Sequence, residues 1–437
     1  MTRRRVLIVS PHFPPTHAPD HQRIRTALPH LAEFGWEAEI LTVDPREVPH
    51  GIDAQLAQVL PEDLAIHRTA ALPYRFTRLL GFGNVGWRCL PYLLQTGNRL
   101  LAQKRFDLIF FSTTIFPVMI LGPYWQRRFG IPFAVDFQDP WRVDKVPEGE
   151  HRPGGRLKYA VDKFLAAFWE PRVMQWVSQV IAVSPAYPPL LQRRYPWLQA
   201  DQFTVLPFGA PEADFEQLAQ LSISQTHFDP QDGCQHWVYV GRGGPDMAIA
   251  LQSLFLALQS LRASLPNLET RLQLHFIGTS YAPAHRAIKT IEPLAAACGV
   301  ADLVTEHTQR VPYFEAQKLL TDSDVILLIG SADPRYTASK LYPAVLAKKP
   351  ILAIFHEESS VIGILNQVGI GGAIAFNATT SPDTLSQQIY PHLQALLSHA
   401  TPPVPATDWN AFAPYTAHAM TQTLCQVFDR CLPPSRP

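Results

Sequence analysis

The stretch VYVGRGGPDM, residues 238–247, reads as a buried strand that stops abruptly in three glycines, an arginine and a proline. Two physical readings compete for it. One is a tight strand-to-helix connection; the other is a loop whose bare backbone lets a phosphate come close. A glycine loop by itself does not choose between them, so the choice rests on its surroundings.

Downstream lies a helical pattern, MAIALQSLFLALQSLRASL (247–265), followed by strand-like runs LQLHFIG (272–278), LVTEH (303–307), DVILLIG (324–330) and ILAIF (351–355). Upstream the same alternation has already run once. It takes in VLIVS (6–10), a helical HQRIRTALPHLAEFG (21–35), AEILTV (38–43), LIFFS (108–112), a helix around 116–129 and FAVDF (133–137). A helical stretch over 156–177, QVIAVS (179–184) and FTVLP (203–207) complete it. Wholly apolar strands separated by helices predict parallel sheets covered on both faces. The restart at His236 therefore predicts an α/β chain with two Rossmann-like, doubly wound domains facing each other across a cleft. The first is expected over 1–208, with the tail 409–437 packing back on it, and the second over 209–408. Ligands of such sheets bind beyond the carboxyl ends of the strands. The loops after Ser10, Phe137, Val183, Gly241, Gly278 and Gly330 are thus the places for chemistry.

Composition narrows the function. Of 437 residues 47% are hydrophobic and 17% charged, and Lys+Arg equals Asp+Glu at 37 each. That balance lacks the basic excess of a nucleic-acid binder. It conceals an asymmetry, because residues 1–210 hold 24 basic and 18 acidic side chains, a net of +6, and 211–437 hold 13 and 19, a net of −6. The five cysteines show no CxxC spacing, which suits reduced thiols in a cytosolic compartment. The apolar core of MTRRRVLIVSPHFPP, about five residues, is too short for a signal peptide. Pro117 and a Ser-Thr-Thr interrupt the longest apolar run, which reads as a strand and a buried helix instead of a membrane span. Residues 72–105 mix Arg, Lys, Leu and aromatics. They form either an ordinary packed helix with a basic edge or a face for an anionic membrane. The expectation is a cytoplasmic protein with a peripheral contact at the inner membrane face.

With the loops placed, the chain resembles glycosyltransferase family 4, of GT-B architecture, over roughly residues 4–375 and in the right order. The resemblance is carried by VLIVSPHFPP with the following helix that bears Arg23, LPHLAEFGWEAEILTVD, FGIPFAVDFQDPW, VIAVSPAY, FTVLPFGAPEADF, VYVGRGGPDM and SDVILLIGSADPRYTASKLYPAVLAKKPILAI. It implies a retaining transfer of a sugar from a nucleotide-sugar donor, held by the C-terminal domain, to a glycan or lipid-linked acceptor held by the N-terminal one. It also implies synthesis of a surface polysaccharide or glycolipid, no essential metal, and no cofactor beyond the donor. On that basis Gly241, Arg242, Gly243 and Gly244 meet the donor diphosphate, Arg242 through a charge-assisted fork. His12 and Arg23 fall on the acceptor side.

The departures from the family pattern are specific. The lysine expected after the glycine loop falls near Met247, and the paired glutamates fall on Arg335 and Pro343. The N-terminal glycine pair is Ala18-Pro19. Lys340, beside Ser339 at a helix start, is either a diphosphate ligand or a solvated helix-end lysine, and Arg335 is a second cation that can stand in for the missing lysine. Glu357 and Glu358 follow a strand end and either replace the lost ribose contact or, with Ser359, cap a helix. Asp139, in FQDPW, is the candidate catalytic carboxylate, with capping of the next turn as its alternative. Asp322 and Asp324 imitate a metal-binding DxD but sit at a strand entry. The rival functions are a non-catalytic GT-B-like binding protein, favoured by Arg335 and Pro343, and another GT-B enzyme such as a nucleotide-sugar epimerase.

Overall fold

Strand β1 (Arg4–Val9) shows how the first sheet is built. Successive side chains of a strand point to opposite faces, and here each face has a core of its own. Leu7 and Val9 join Ile109, Phe111, Phe133 and Val135 on one side, while Val6 and Ile8 join Leu108, Phe110 and Ala134 on the other. A strand buried on both faces must be apolar throughout, which explains the unbroken run VLIV.

In this computed structural model, which describes residues 3–48, 51–77, 83–142, 155–264, 271–333 and 339–433, the chain divides into two compact units. The first comprises Met1–Gly209 and Ala417–Pro437, the second Ala210–Thr416. The first sheet runs β3 (Ala65–Thr69), β2 (Trp36–Val43), β1, β4 (Leu108–Ser112), β5 (Phe133–Phe137), β6 (Gln179–Ala182), β7 (Phe203–Val205). The second runs β10 (Val304–His307), β9 (Leu272–Ile277), β8 (Gln235–Val240), β11 (Val325–Ile329), β12 (Ile351–His356), β13 (Ala373–Phe376). Every pairing is parallel. Strand order thus reverses between β1 and β4 in one unit and between β8 and β11 in the other. These are the switch points at which doubly wound sheets open a crevice.

Helices cover both faces of each sheet. The helix Ala417–Cys431 sets Met420, Leu424, Val427 and Phe428 against β1 and β4 in the first unit. Phe428 is fully buried, edge-on to Trp36 and to Phe110. Losing its ring would cost about 3–5 kcal/mol. Phe412 and Tyr415, just before that helix, pack with Tyr342 in the second unit. Among the described residues no helix is long and apolar enough to cross a membrane.

The expected helix over 21–35 is shorter than its periodicity. It is regular only over Gln22–Ala27, and residues 28–35 continue as tight turns to Gly35, at φ 81°.

Candidate functional site

At the switch point of the second sheet, β8 ends in the glycine loop and β11 leads to Lys340. The two features meet. A Cβ added to Gly241 would lie 1.5 Å from Lys340 Nζ, so the glycine leaves the space that the lysine tip fills. The ammonium also sits over the Tyr239 ring, 5.0 Å from its centroid, and donates weakly to the Tyr239 hydroxyl at 3.5 Å. That hydroxyl donates to the Arg242 carbonyl at 2.7 Å. Burial first, then the positive charges of Arg310 and Arg242, press the Lys340 ammonium down to about 7. Arg242 forks onto Asp246 at 2.9 and 2.7 Å, and that fork, against desolvation and with help from Ser331, holds the Asp246 carboxyl at about 2. The Ala332 amide donates to the Asp246 carbonyl at 2.8 Å, tying the loop after β11 to the loop after β8.

The glycines do not act as expected from the sequence. The amides of Gly241 and Gly243 are spent on the carbonyls of Ile277 and Thr279, 2.8 Å each. A Cβ on Gly244 would meet Asp246 Oδ1 at 2.6 Å, and one on Gly243 would meet Thr290 Oγ1 at 3.1 Å. These residues make room for side chains, and the charge available to an anion is that of Arg242, Lys340 and Arg310.

Ser339 is exposed, and Lys340 is the N-cap residue of a helix of only six residues, Leu341–Leu346. Pro343 lies inside that helix; Arg335 lies outside the described residues. Met247 is buried beside Tyr239, with no charge to replace a lysine. Glu357 and Glu358 stand exposed beyond β12. Ser359 caps the helix Ser360–Gln367 by accepting the Val361 amide, while Glu357 accepts from Asn377 Nδ2 at 3.3 Å. Asp324 accepts the His236 amide at 2.8 Å and Asp322 pairs with Lys318, a strand-entry arrangement.

In the first unit three adjacent strand ends, those of β1, β4 and β5, converge on Asp20. Its carboxylate accepts from His12 Nδ1 at 3.0 Å, from the Thr113 hydroxyl at 2.9 Å and from the Thr114 amide at 3.2 Å. Burial alone would raise the pKa of Asp20, but the His12 hydrogen bond and charge and the Thr113 hydroxyl hold it at about 2. Asp139, just past β5, is exposed, and no described residue donates to it. Desolvation and then the charge of Asp20 push its pKa up.

Arg23 requires a correction. Its guanidinium is wholly buried and fully engaged, with Nε on Asp136 at 2.8 Å and the terminal nitrogens on the carbonyls of Leu206 (2.6 Å) and Pro207 (3.2 Å). It lies over the Phe208 ring, 4.9 Å from the centroid. Asp136 also accepts from Ser112 at 2.8 Å and Gln138 at 2.9 Å. This is a structural clamp between the helix after β1, strand β5 and the segment after β7, buried away from solvent.

Residues 21–209 match the family model of the glycosyl transferase 4-like domain. These residues, most of the first unit, are a glycosyl transferase 4-like domain. Solved structures align along nearly its whole length. HepE from Anabaena, in complex with UDP and glucose, is 15% identical with a TM-score of 0.59, over 98% of this chain and 100% of that one. A UDP-forming trehalose-phosphate synthase from Burkholderia xenovorans is 12% identical with a TM-score of 0.57, over 98% and 99%. The N-terminal domain of trehalose-6-phosphate phosphatase from Candida albicans is 13% identical with a TM-score of 0.57, over 98% and 97%. At such identities the likeness concerns the fold, and the fold of this chain is GT-B, with two Rossmann-like domains. No curated protein matches the sequence significantly.

Arg310, Asp246 and Asp20 were not among the residues singled out in the sequence. Arg310 follows β10 at a carboxyl edge, and that position was its only signal. Asp20 looks like a loop aspartate until the Thr113 and Thr114 donors of another strand end are in place.

Proposed function

We propose that this chain is a retaining, metal-independent glycosyltransferase that takes its sugar from a nucleoside-diphosphate donor. The donor diphosphate binds in the second unit, between Lys340, Arg242 and Arg310. One observation carries this reading: the Lys340 ammonium lies against the bare backbone of Gly241 and over the Tyr239 ring, where burial and then the charges of Arg310 and Arg242 press it down to about 7. Folding does not favour such a cluster unless an anion completes it. With Arg242 already paired to Asp246, Lys340 and Arg310 supply the positive charge that supports the metal-independent reading. Exposed Glu357 and Glu358, beyond the adjacent strand, are the proposed partners of the ribose hydroxyls in place of Pro343. In the first unit Asp139 assists at the reacting centre, and the buried Asp20–His12 pair fixes the loop after β1 near it.

Since HepE is seen with UDP, UDP is the probe to use first. Removing one charge-assisted contact costs about 1.5–3 kcal/mol, or roughly ten- to a hundredfold in affinity. Calorimetric titration of the parent, Arg242→Ala and Lys340→Ala with UDP is expected to show losses of that size. Equal affinity in folded variants would reduce the glycine loop to a turn. A parent that binds no nucleoside diphosphate would favour a non-catalytic role.

A lipid-linked acceptor fits the first unit. An apolar groove of about 690 Å³ there is walled by Leu94, Tyr124, Trp169 and Trp176 and edged by Arg127 and Arg172. Phe164 and Phe168 are exposed on one of its helices, at 68% and 40%. Aromatic and arginine side chains at a surface suit an anionic bilayer. Co-sedimentation with anionic vesicles, weakening with salt, is expected; equal behaviour on neutral vesicles would remove this part of the reading.

A further inference from the structure

The structure assigns a divalent metal site, best suited to zinc, to His30, Glu33 and His418 in the first unit. Each of these side chains offers one ligand atom, and the three atoms lie within 4.8 Å of one another. The backbone explains why two of them share a face. Residues 28–35 form successive tight turns, with the amides of His30, Glu33, Phe34 and Gly35 donating to the carbonyls three residues back at 3.0–3.2 Å. Three residues per turn place positions i and i+3 one above the other, so His30 and Glu33 project together. The third ligand comes from the first turn of the helix Ala417–Cys431, whose His418 Nε2 is 3.0 Å from Glu33 Oε1. The His418 ring also meets the edge of His30, with centroids 5.3 Å apart.

Two imidazoles and a carboxylate are a ligand set that zinc uses with water in the fourth position, and a zinc tetrahedron separates its ligand atoms by about 3.3 Å. The Glu33–His418 distance of 3.0 Å is already near that value, and the third ligand atom lies within 4.8 Å of both. Imidazole and carboxylate donors select zinc over magnesium or calcium. The site lies where the chain re-enters the first unit. The other end of the same helix is already fastened, because Asp429 accepts from Trp36 Nε1 at 3.0 Å and pairs with Arg4. A metal at His418 fastens the near end and holds the helix over β1 and β4.

The full chain, stripped with a chelator, is titrated with zinc chloride by calorimetry and with cobalt chloride by visible absorption. One equivalent of cobalt with a tetrahedral spectrum is expected, and zinc is expected to raise the unfolding temperature. His418→Ala and Glu33→Gln, both at sites open to solvent, are expected to weaken binding by about tenfold to a hundredfold and to abolish the thermal shift. His227→Ala, in a histidine cluster of the second unit, is expected to leave both unchanged. No stoichiometric uptake, or equal affinity in His418→Ala and Glu33→Gln, would overturn the assignment.

Discussion

The two units share a strand order but use charge in opposite ways at the edge where ligands bind. In the first, every buried charge near the switch point is balanced within the protein: Arg23 by Asp136, and Asp20 by His12 and two threonines. In the second, Asp246 balances Arg242, while Lys340 is left facing two arginines. A balanced network stabilises a fold and fixes the geometry of its polar atoms. An unbalanced cluster costs stability and is retained where a ligand of opposite sign completes it. The contrast is the one expected if, as proposed, the first unit positions the acceptor and the second binds the donor anion.

The largest effect is expected where the first unit touches the reaction. Asp139→Asn keeps the shape of a surface residue and removes its charge. A loss of about 10²- to 10⁴-fold in transfer rate is expected, with UDP affinity unchanged, since the diphosphate cations lie in the other unit. Single-turnover kinetics beside calorimetry reads both quantities. Transfer at the parental rate would end the catalytic reading of Asp139.

Next comes the stability of the balanced network. Arg23→Met leaves the Asp136 carboxylate buried without its cation, a change worth about 3–5 kcal/mol. The same exchange at Arg242, which is partly open to solvent, frees a surface carboxylate and is expected to cost about 1 kcal/mol or less. Denaturant unfolding of the two variants tests the contrast directly. Similar losses for both would show that the units do not differ in this way.

The interior strands were the most legible part of the fold. Parallel strands covered on both faces read as apolar runs, and β1, β2, β4, β5, β6, β8, β9, β11 and β12 stood out for that reason. The strands the sequence did not show are β3 and β13, one edge of each sheet, while the opposite edges β7 and β10, no more deeply buried, were read from FTVLP and LVTEH. AIHRT in β3 has a single buried residue, and AIAF in β13 is four residues long with only two buried. At the site, Lys340 and Arg242 were legible because a glycine loop and a strand-to-helix junction leave local marks. Arg310 and Asp20 had none, since Arg310 acts on Lys340, 30 residues on, and Asp20 is held by Thr113, 93 residues on. Arg23 misled because a family position was legible while its burial was not.

The smallest expected effect gives the finest test of the unbalanced cluster. Without ligand the Lys340 ammonium titrates at about 7, below its usual 10.5. An anion beside it raises that value again, so above pH 7 binding must take up a proton. UDP affinity should then fall as pH rises from 7, by up to about tenfold per unit until the liganded pKa is reached. Calorimetry at pH 8 in buffers of different ionisation enthalpy should report an uptake approaching one proton. Stability carries the opposite sign. Between pH 7 and 10.5 the unfolded chain binds more protons at this lysine than the folded one, so its burden on the free protein is full below pH 7 and relieved as pH rises. Lys340→Met should therefore melt higher than the parent at pH 6, with a gap that narrows toward pH 10, and should bind UDP without the proton. A parent whose UDP affinity is flat from pH 7 to 9 would show that Lys340 does not meet the diphosphate, and the difference between the two units would lose its functional meaning.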